Sequence, residues 1–271
     1  MRQALVNLLF NLMHMPKRGI VYVATGAAYI KEAIFSASIT RKHTSNPIYL
    51  ITDNPDYPDL VESCFSKIIQ HPSPKYSYRD KISALVSLEF DYTLFLDTDA
   101  FLVWDDKYLF TLLQTFDVAA SHAPVRHPPG WSDSIPPITF PELNTGVLVL
   151  KNSDLQQNLV SSWLALYDRL FTEHSQSWDQ ASFRSTLWSY LQDSNLKFLV
   201  LPPEANLRTP KPWIIGRGMP ALIVHGRVPT DELPAFLNYL NQDIDSFRTW
   251  SHWLASNPQT LIRPRFDNTF S

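Results

Sequence analysis

Tyr92-Thr93-Leu94-Phe95-Leu96-Asp97-Thr98-Asp99 runs from a β-prone apolar stretch into two carboxylates one residue apart. A short apolar run with no alternation reads as a strand covered on both faces, as in a largely parallel sheet. Charges at the end of such a strand are tolerated when they are ligated or paired. The two carboxylates can turn toward one ligand if the chain leaves extended geometry there. Their oxygens suit a hard divalent cation, Mn2+ or Mg2+, which also bridges to phosphate oxygens. Asp-x-Asp alone is common in surface turns, so its weight comes from the strand it ends. Asp105 and Asp106 are the contrast, reading as a solvated turn or a helix cap.

Working outward, the stretch belongs to an alternating pattern. Toward the N-terminus, β-rich runs over 19–25, 48–52 and 64–69 read as strands, with apolar residues Ala33, Ile34, Ala37 and Ile39 at helical spacing between the first two. A helix is expected over 79–89. Toward the C-terminus, strands are expected over 146–150 and 198–201, helices over 155–171 and 180–191, and a last short strand at 221–226. Between these, residues 122–141 hold Pro124, Pro128, Pro129, Pro136 and Pro137, which exclude a helix or central strand and predict an ordered loop beside the sheet. Helices over 230–241 and 247–255 close the chain. Alternation of this kind predicts an α/β fold, a mostly parallel central sheet flanked by helices with a C-terminal helical extension. The division is 1–17 leader, 18–229 main domain and 230–271 extension. In such sheets ligands collect at the carboxyl ends of the strands, where Thr25, Asp53 and Asp97 fall.

The bulk properties narrow the partners. A chain of 271 residues with 45% hydrophobic content can bury one sizeable core. A net charge of −3 supplies no basic stripe for a phosphate backbone, which argues against nucleic acid. With Cys64 as the sole cysteine there is no intrachain disulfide, which fits a reducing cytoplasm. The apolar run over 4–15 is interrupted by Asn7, Asn11 and His14 and is too short to span a bilayer. It reads as a leader helix or docking segment. A peripheral membrane anchor is the alternative, since Leu5, Leu8, Leu9 and Leu12 share a helical face followed by Lys17 and Arg18.

A second candidate ligand lies far away in sequence. His225 ends the last strand, and a neutral imidazole there suits a divalent metal shell, although a satisfied structural histidine is the plain alternative. Gly226 permits close backbone approach, and Arg227 puts a cation near a phosphate.

In this order the pieces resemble the glycogenin-like family of retaining glycosyltransferases, which have the GT-A fold and use a nucleotide-sugar donor. The resemblance spans about residues 19–227. It implies that Thr25 and Tyr29, in Ala24-Thr25-Gly26-Ala27-Ala28-Tyr29, contact the nucleoside of a UDP-like donor. It implies that Lys81, in Arg79-Asp80-Lys81, reaches the donor phosphate or sugar; an exposed helical charge triplet is the alternative. Asp97 and Thr98 would lie on the donor, with Asp97, Asp99 and His225 holding the metal, Mn2+ or Mg2+. Leu143-Asn144-Thr145-Gly146-Val147 matches the family's Asn-x-Gly-Val turn, placing Asn144 at the donor sugar, or else forms only a strand-entry turn. Trp178-Asp179-Gln180 matches its Asp-Gln pair, placing Asp179 near the reacting carbon, or else Asp179 is an N-cap. The family's lysine after the metal histidine has no counterpart in His225-Gly226-Arg227-Val228-Pro229, where Arg227 is the substitute. Trp131 and Trp213 stack on an acceptor sugar or serve as core or lid residues.

These readings make the chain an enzyme that passes a sugar from a nucleotide-sugar to a glycan, protein or small-molecule acceptor, with retention implied by the resemblance. Two other classes stay open: a non-catalytic nucleotide-sugar-binding module and an aspartyl-nucleophile phosphatase. The latter normally carries Thr or Val two residues after the second Asp, where this chain has Phe101, and places the strand earlier in the sequence.

Overall fold

The structure, a computed structural model, describes residues 16–123, 136–209 and 213–249. The leader over 1–15, most of the Pro-rich loop including Trp131, and residues 250–255 of the last expected helix lie outside the described residues; the start of that helix is instead a short strand, β12 (Arg248–Thr249), paired antiparallel with β10 (Ile214–Ile215). A seven-stranded sheet forms the centre, in the order β3-β2-β1-β4-β7-β6-β8. β1 (Arg18–Ala24), β2 (Ile48–Thr52), β3 (Lys67–Gln70) and β4 (Tyr92–Leu96) run parallel. β7 (Leu143–Lys151) is antiparallel to both its neighbours, β4 and β6 (Val118–His122), and β8 (Phe198–Leu201) is parallel to β6. The expected mostly parallel sheet is thus present with one reversed strand at its middle.

Helices cover both faces, as the near-continuous apolar strands require. One layer of core gathers Ile20, Tyr22, Leu94 and Leu96 beneath α1 (Ala27–Thr40). The other gathers Val21, Val23, Phe95 and Leu148 against Trp163 of α4 (Asp154–His174) and Phe183 of α5 (Asp179–Asp193). Gly19 lies where any side chain would collide with Phe90, its would-be Cβ being 2.1 Å from that ring. A third cluster, containing Phe101, Val103, Trp213 and Ile215, takes Leu233, Phe236 and Leu240 from α6 (Leu233–Asn241). Trp213 is therefore a core residue here, edge-on to Phe236 at 6.2 Å between ring centres.

Several expectations are corrected. The helix expected over 79–89 is the shorter α2 (Tyr78–Ala84). Beyond it Leu85, Leu88 and Phe90 drop into the core, and the carbonyls of Leu85 and Leu88 are taken by the side chains of Gln156 and Asn152. Tertiary packing thus overrides a helical pattern. The strand expected over 64–69 starts at Lys67. Asn144 does not sit in a turn before a strand but inside β7, opposite a register break between Ala120 and Ser121. Asp106 is buried rather than solvated, accepting from the Thr44 hydroxyl and from Asn46 Nδ2 at 3.0 Å, while Asp105 stays exposed at the start of α3 (Lys107–Leu112). The last short strand expected at 221–226 is present as β11 (Ile223–His225), whereas α3, β6 and β11's partners in a small sheet, β5 (Ala100–Leu102) and β9 (Leu207–Arg208), left no such signal.

That small sheet positions the distant histidine. After Asp99 the chain leaves the main sheet as β5, which pairs antiparallel with β11 and sets His225 opposite Ala100. Gly226 donates its backbone N–H to Asp99 O at 2.9 Å, at φ +130, a backbone conformation that favours glycine. Among the described residues no helix is long and apolar enough to cross a membrane.

Candidate metal and donor site

One cavity of about 540 Å3 opens at the carboxyl ends of β1 and β4. Thr25, Tyr29, Lys81, Asp97, Thr98, Asp99, Asn144, Asp179, His225 and Arg227 all line it. Gly226 adjoins it through its bond to Asp99. Residues separated by up to two hundred positions in the chain are therefore neighbours around one space.

At the floor stands Lys81, 7% exposed. Its ammonium lies 2.9 Å from Asp179 Oδ2 and 3.1 Å from Asp97 Oδ1, with Thr145 Oγ1 at 3.3 Å. Burial pushes its pKa down, but Asp179 and Asp97 together outweigh that and hold it above the ordinary lysine value. The alternative of an exposed charge triplet is set aside, since Asp80 and Lys81 are buried and Arg79 turns to α4 to grip Asp168 at 2.7 and 3.0 Å. Asp179 opens α5, but its carboxylate meets Lys81 and the Thr145 hydroxyl; the helix start at Trp178 has no side-chain cap bond. Trp163 Nε1 donates to Asp179 O at 3.0 Å and fixes the helix start to α4. Thr145 reaches this group from the stretch of β7 facing the register break.

The second half of the site is the carboxylate and imidazole group. His225 Nε2 is 3.3 Å from Asp99 Oδ1 and 3.9 Å from Asp97 Oδ2. Suitable ligand atoms of Asp97, Asp99 and His225 all lie within 4.8 Å of one another. Burial pushes the Asp99 pKa up, and His225, Arg227 and Arg208 more than reverse this, holding it well below the ordinary carboxylate value. Asp97 goes the other way: burial, with the neighbouring Asp99 and Asp179 carboxylates, raises its pKa more than Lys81 and His225 lower it. Gly146 fits the group closely, because a Cβ there would fall 2.2 Å from His225 Cε1 and 2.5 Å from Asp97 Oδ2. Two carboxylates and one imidazole with a glycine-made clearance beside them form a group that could hold a divalent metal ion.

Behind the ligands lies a buried amide chain. His225 Nδ1 meets Asn206 Oδ1 at 2.9 Å, Asn206 Nδ2 donates to Asn144 Oδ1 at 2.8 Å, and Gly146 N donates to the same Asn144 oxygen at 3.2 Å. At the mouth, Glu32 accepts from Arg227 Nε at 2.7 Å and Nη2 at 3.2 Å, and also from the Thr98 hydroxyl. On the far side, buried Asp80 accepts from Thr25 Oγ1 and from the backbone N–H groups of Lys75 and Tyr76 at 2.7–2.8 Å. Tyr76 there has φ +54 although it is not glycine, and with Tyr29 it lines the cavity.

Asn206, Glu32, Thr145, Arg208 and Tyr76 went unseen in the sequence. Asn206 follows a short 3-10 turn (Pro203–Ala205) and Glu32 lies on a helix with ordinary spacing, so neither carried a local signal. Thr145 alone stood inside a quoted motif.

No protein-family model matches the chain, and no curated protein matches its sequence. Solved structures do match. The apo form of the glycosyltransferase GlyE of Streptococcus pneumoniae TIGR4 superposes with a TM-score of 0.53 at 20% identity, over 79% of this chain and 55% of that one. Mouse xyloside xylosyltransferase 1, apo form, matches with a TM-score of 0.50 at 15% identity, over 78% of this chain and 99% of that one. The chain spans about half the length of the GlyE chain. At these identities the likeness is one of fold, and the structural neighbours that share the mixed α/β architecture are glycosyltransferases.

Proposed function

We propose that the protein is a metal-dependent glycosyltransferase that moves a sugar from a nucleotide-sugar, a UDP-sugar for preference, to an acceptor with retention of anomeric configuration. The observation that carries this is the junction at Asp97: one cavity holds an Asp97–Asp99–His225 ligand group and a Lys81–Asp179 pair side by side. Mn2+ or Mg2+ held by Asp97, Asp99 and His225 would neutralise the charge that develops on the departing diphosphate.

The chain's own groups supply the rest. Tyr29 and Thr25 flank the nucleoside, and Arg227, released in part from Glu32, joins Thr98 around the diphosphate, where Gly226 permits close approach. Lys81 fixes both Asp97 and Asp179, so the carboxylates stand ready without rearrangement. Asn144 Oδ1 is occupied, which leaves its Nδ2 as the donor it offers the sugar. The bond from the anomeric carbon to the diphosphate oxygen breaks, and its electron pair leaves with the diphosphate. The acceptor oxygen forms the new bond on the same face and passes its proton to the leaving oxygen. Asp179, placed beside Lys81, stabilises the positive charge on the anomeric carbon. The fold neighbours support the enzyme class.

A panel of nucleotide-sugars tests this: turnover with added Mn2+ that is lost in chelator and in Asp99→Asn supports the reading. Binding of a donor without any turnover would favour a sugar-nucleotide-binding module, and release of inorganic phosphate from phosphate esters would favour the phosphatase. An inverted product would sink the assignment of Asp179.

A further inference from the structure

The amide chain behind His225 has a direction, and the direction is fixed by a backbone group. A main-chain N–H can only donate. Gly146 N–H donates to an Asn144 side-chain atom at 3.2 Å, so that atom is the amide oxygen. An oxygen there requires a donor from the facing Asn206 atom at 2.8 Å, which is therefore Nδ2. The other end of the Asn206 amide is then Oδ1, an acceptor, and the His225 nitrogen at 2.9 Å from it must carry hydrogen. A neutral imidazole with hydrogen on Nδ1 has its lone pair on Nε2, the nitrogen that faces Asp99 and Asp97. Asn144, Asn206 and His225 are each 5% exposed or less, so water does not compete for these positions.

We propose that Asn206, oriented by Asn144, is a positioning residue that fixes His225 as the Nδ1–H tautomer and aims its Nε2 lone pair between Asp97 and Asp99. A hydrogen-bond partner on the remote nitrogen sets both the tautomer and the ring orientation of a metal-binding histidine. Here that partner is an amide whose own orientation descends from the Gly146 peptide. Gly146 acts twice, clearing space for the ring and supplying the donor that begins the chain. This extends the metal reading of the same site, and its first test needs no metal.

The test begins with nitrogen NMR of the imidazoles in the full-length protein without added metal, at about pH 8, above the ordinary imidazole range. His225, assigned by its loss in His225→Gln, is expected as the single Nδ1–H tautomer. In Asn206→Leu, with the fold checked by circular dichroism, the signal should shift toward the Nε2–H form or average between the two. Mn2+ affinity by calorimetry should fall about 10- to 100-fold, the range for such outer-shell changes. Asn144→Leu, which removes the acceptor for Gly146 N–H and Asn206 Nδ2, should lose both the single tautomer and the Mn2+ affinity. An Nε2–H tautomer or a doubly protonated ring in the unmodified protein, or an unchanged tautomer in Asn206→Leu, overturns the inference. If the tautomer behaves as described but Mn2+ does not bind the unmodified protein, the metal reading fails and the positioning role of Asn206 stands.

Discussion

Asp97 has two sides, and they are built differently. On one side, Lys81 lies between Asp97 and Asp179 at hydrogen-bond distances, with Thr145 completing the group. Positive and negative charge meet there without help, and the arrangement is complete in the protein alone. On the other side, Asp97 and Asp99 face His225, whose far nitrogen is already committed to Asn206. Two carboxylates and an imidazole converge there, a group that could take a cation. Such a contrast separates a self-sufficient charge cluster from an open one within one cavity: removing a member of the first side should damage the fold along with the reaction Asp179 serves, and removing a member of the second should damage binding.

The largest effect expected is on the first side. Lys81→Met leaves buried Asp179 and half-buried Asp97 without the cation between them and should destabilise the protein by about 3–5 kcal/mol, measured by urea unfolding. The pH dependence has a definite sign. Because the Lys81 pKa is raised in the fold, the native state keeps its proton after the unfolded chain has lost it. Its contribution is fully present below the ordinary lysine value of about 10.4 and declines as pH rises above it. The alkaline fall in urea midpoint should therefore be shallower in Lys81→Met.

On the second side, Asp99→Asn should cut turnover on the order of 10²–10³-fold, with an unfolding midpoint near that of the unmodified protein. A midpoint loss as large as that of Lys81→Met would erase the contrast. Gly146→Ala sharpens it from the shared wall, since the added methyl meets His225 and Asp97 at once. A cost of about 1–3 kcal/mol from overpacking is expected, together with lost Mn2+ affinity. The smallest effect belongs to the mouth. The Arg227–Glu32 pair is exposed on the arginine side, so Arg227→Ala should change stability by less than about 1 kcal/mol. It should raise the donor KM roughly tenfold if the guanidinium meets the diphosphate.

The same contrast explains what the sequence disclosed. The strands β1, β2 and β4 announced themselves through dense apolar β-branched runs, and Asp97 and Asp99 through the charge that ends one of them. His225 was visible because it also ends an apolar strand. Residues that act by meeting others across the fold left no such mark. Thr145 owes its place to a register break between β6 and β7, Asn206 to a short turn before β9, and Glu32 to the closeness of α1 to the loop after β11. The end of α2 was misread for the same reason: Leu85 and Leu88 continue a helical spacing, but the side chains of Gln156 and Asn152 decide where the helix stops.

If the open side of Asp97 holds a divalent cation that serves the donor, UDP should bind through it. Calorimetry of UDP with the full-length protein, with and without Mn2+ and in the Asp99→Asn variant, decides the matter. Mn2+ should tighten UDP binding at least about tenfold, or about 1.4 kcal/mol, and Asp99→Asn should abolish the difference. Equal UDP affinity in Mn2+ and in chelator would mean that no cation at this site serves the donor.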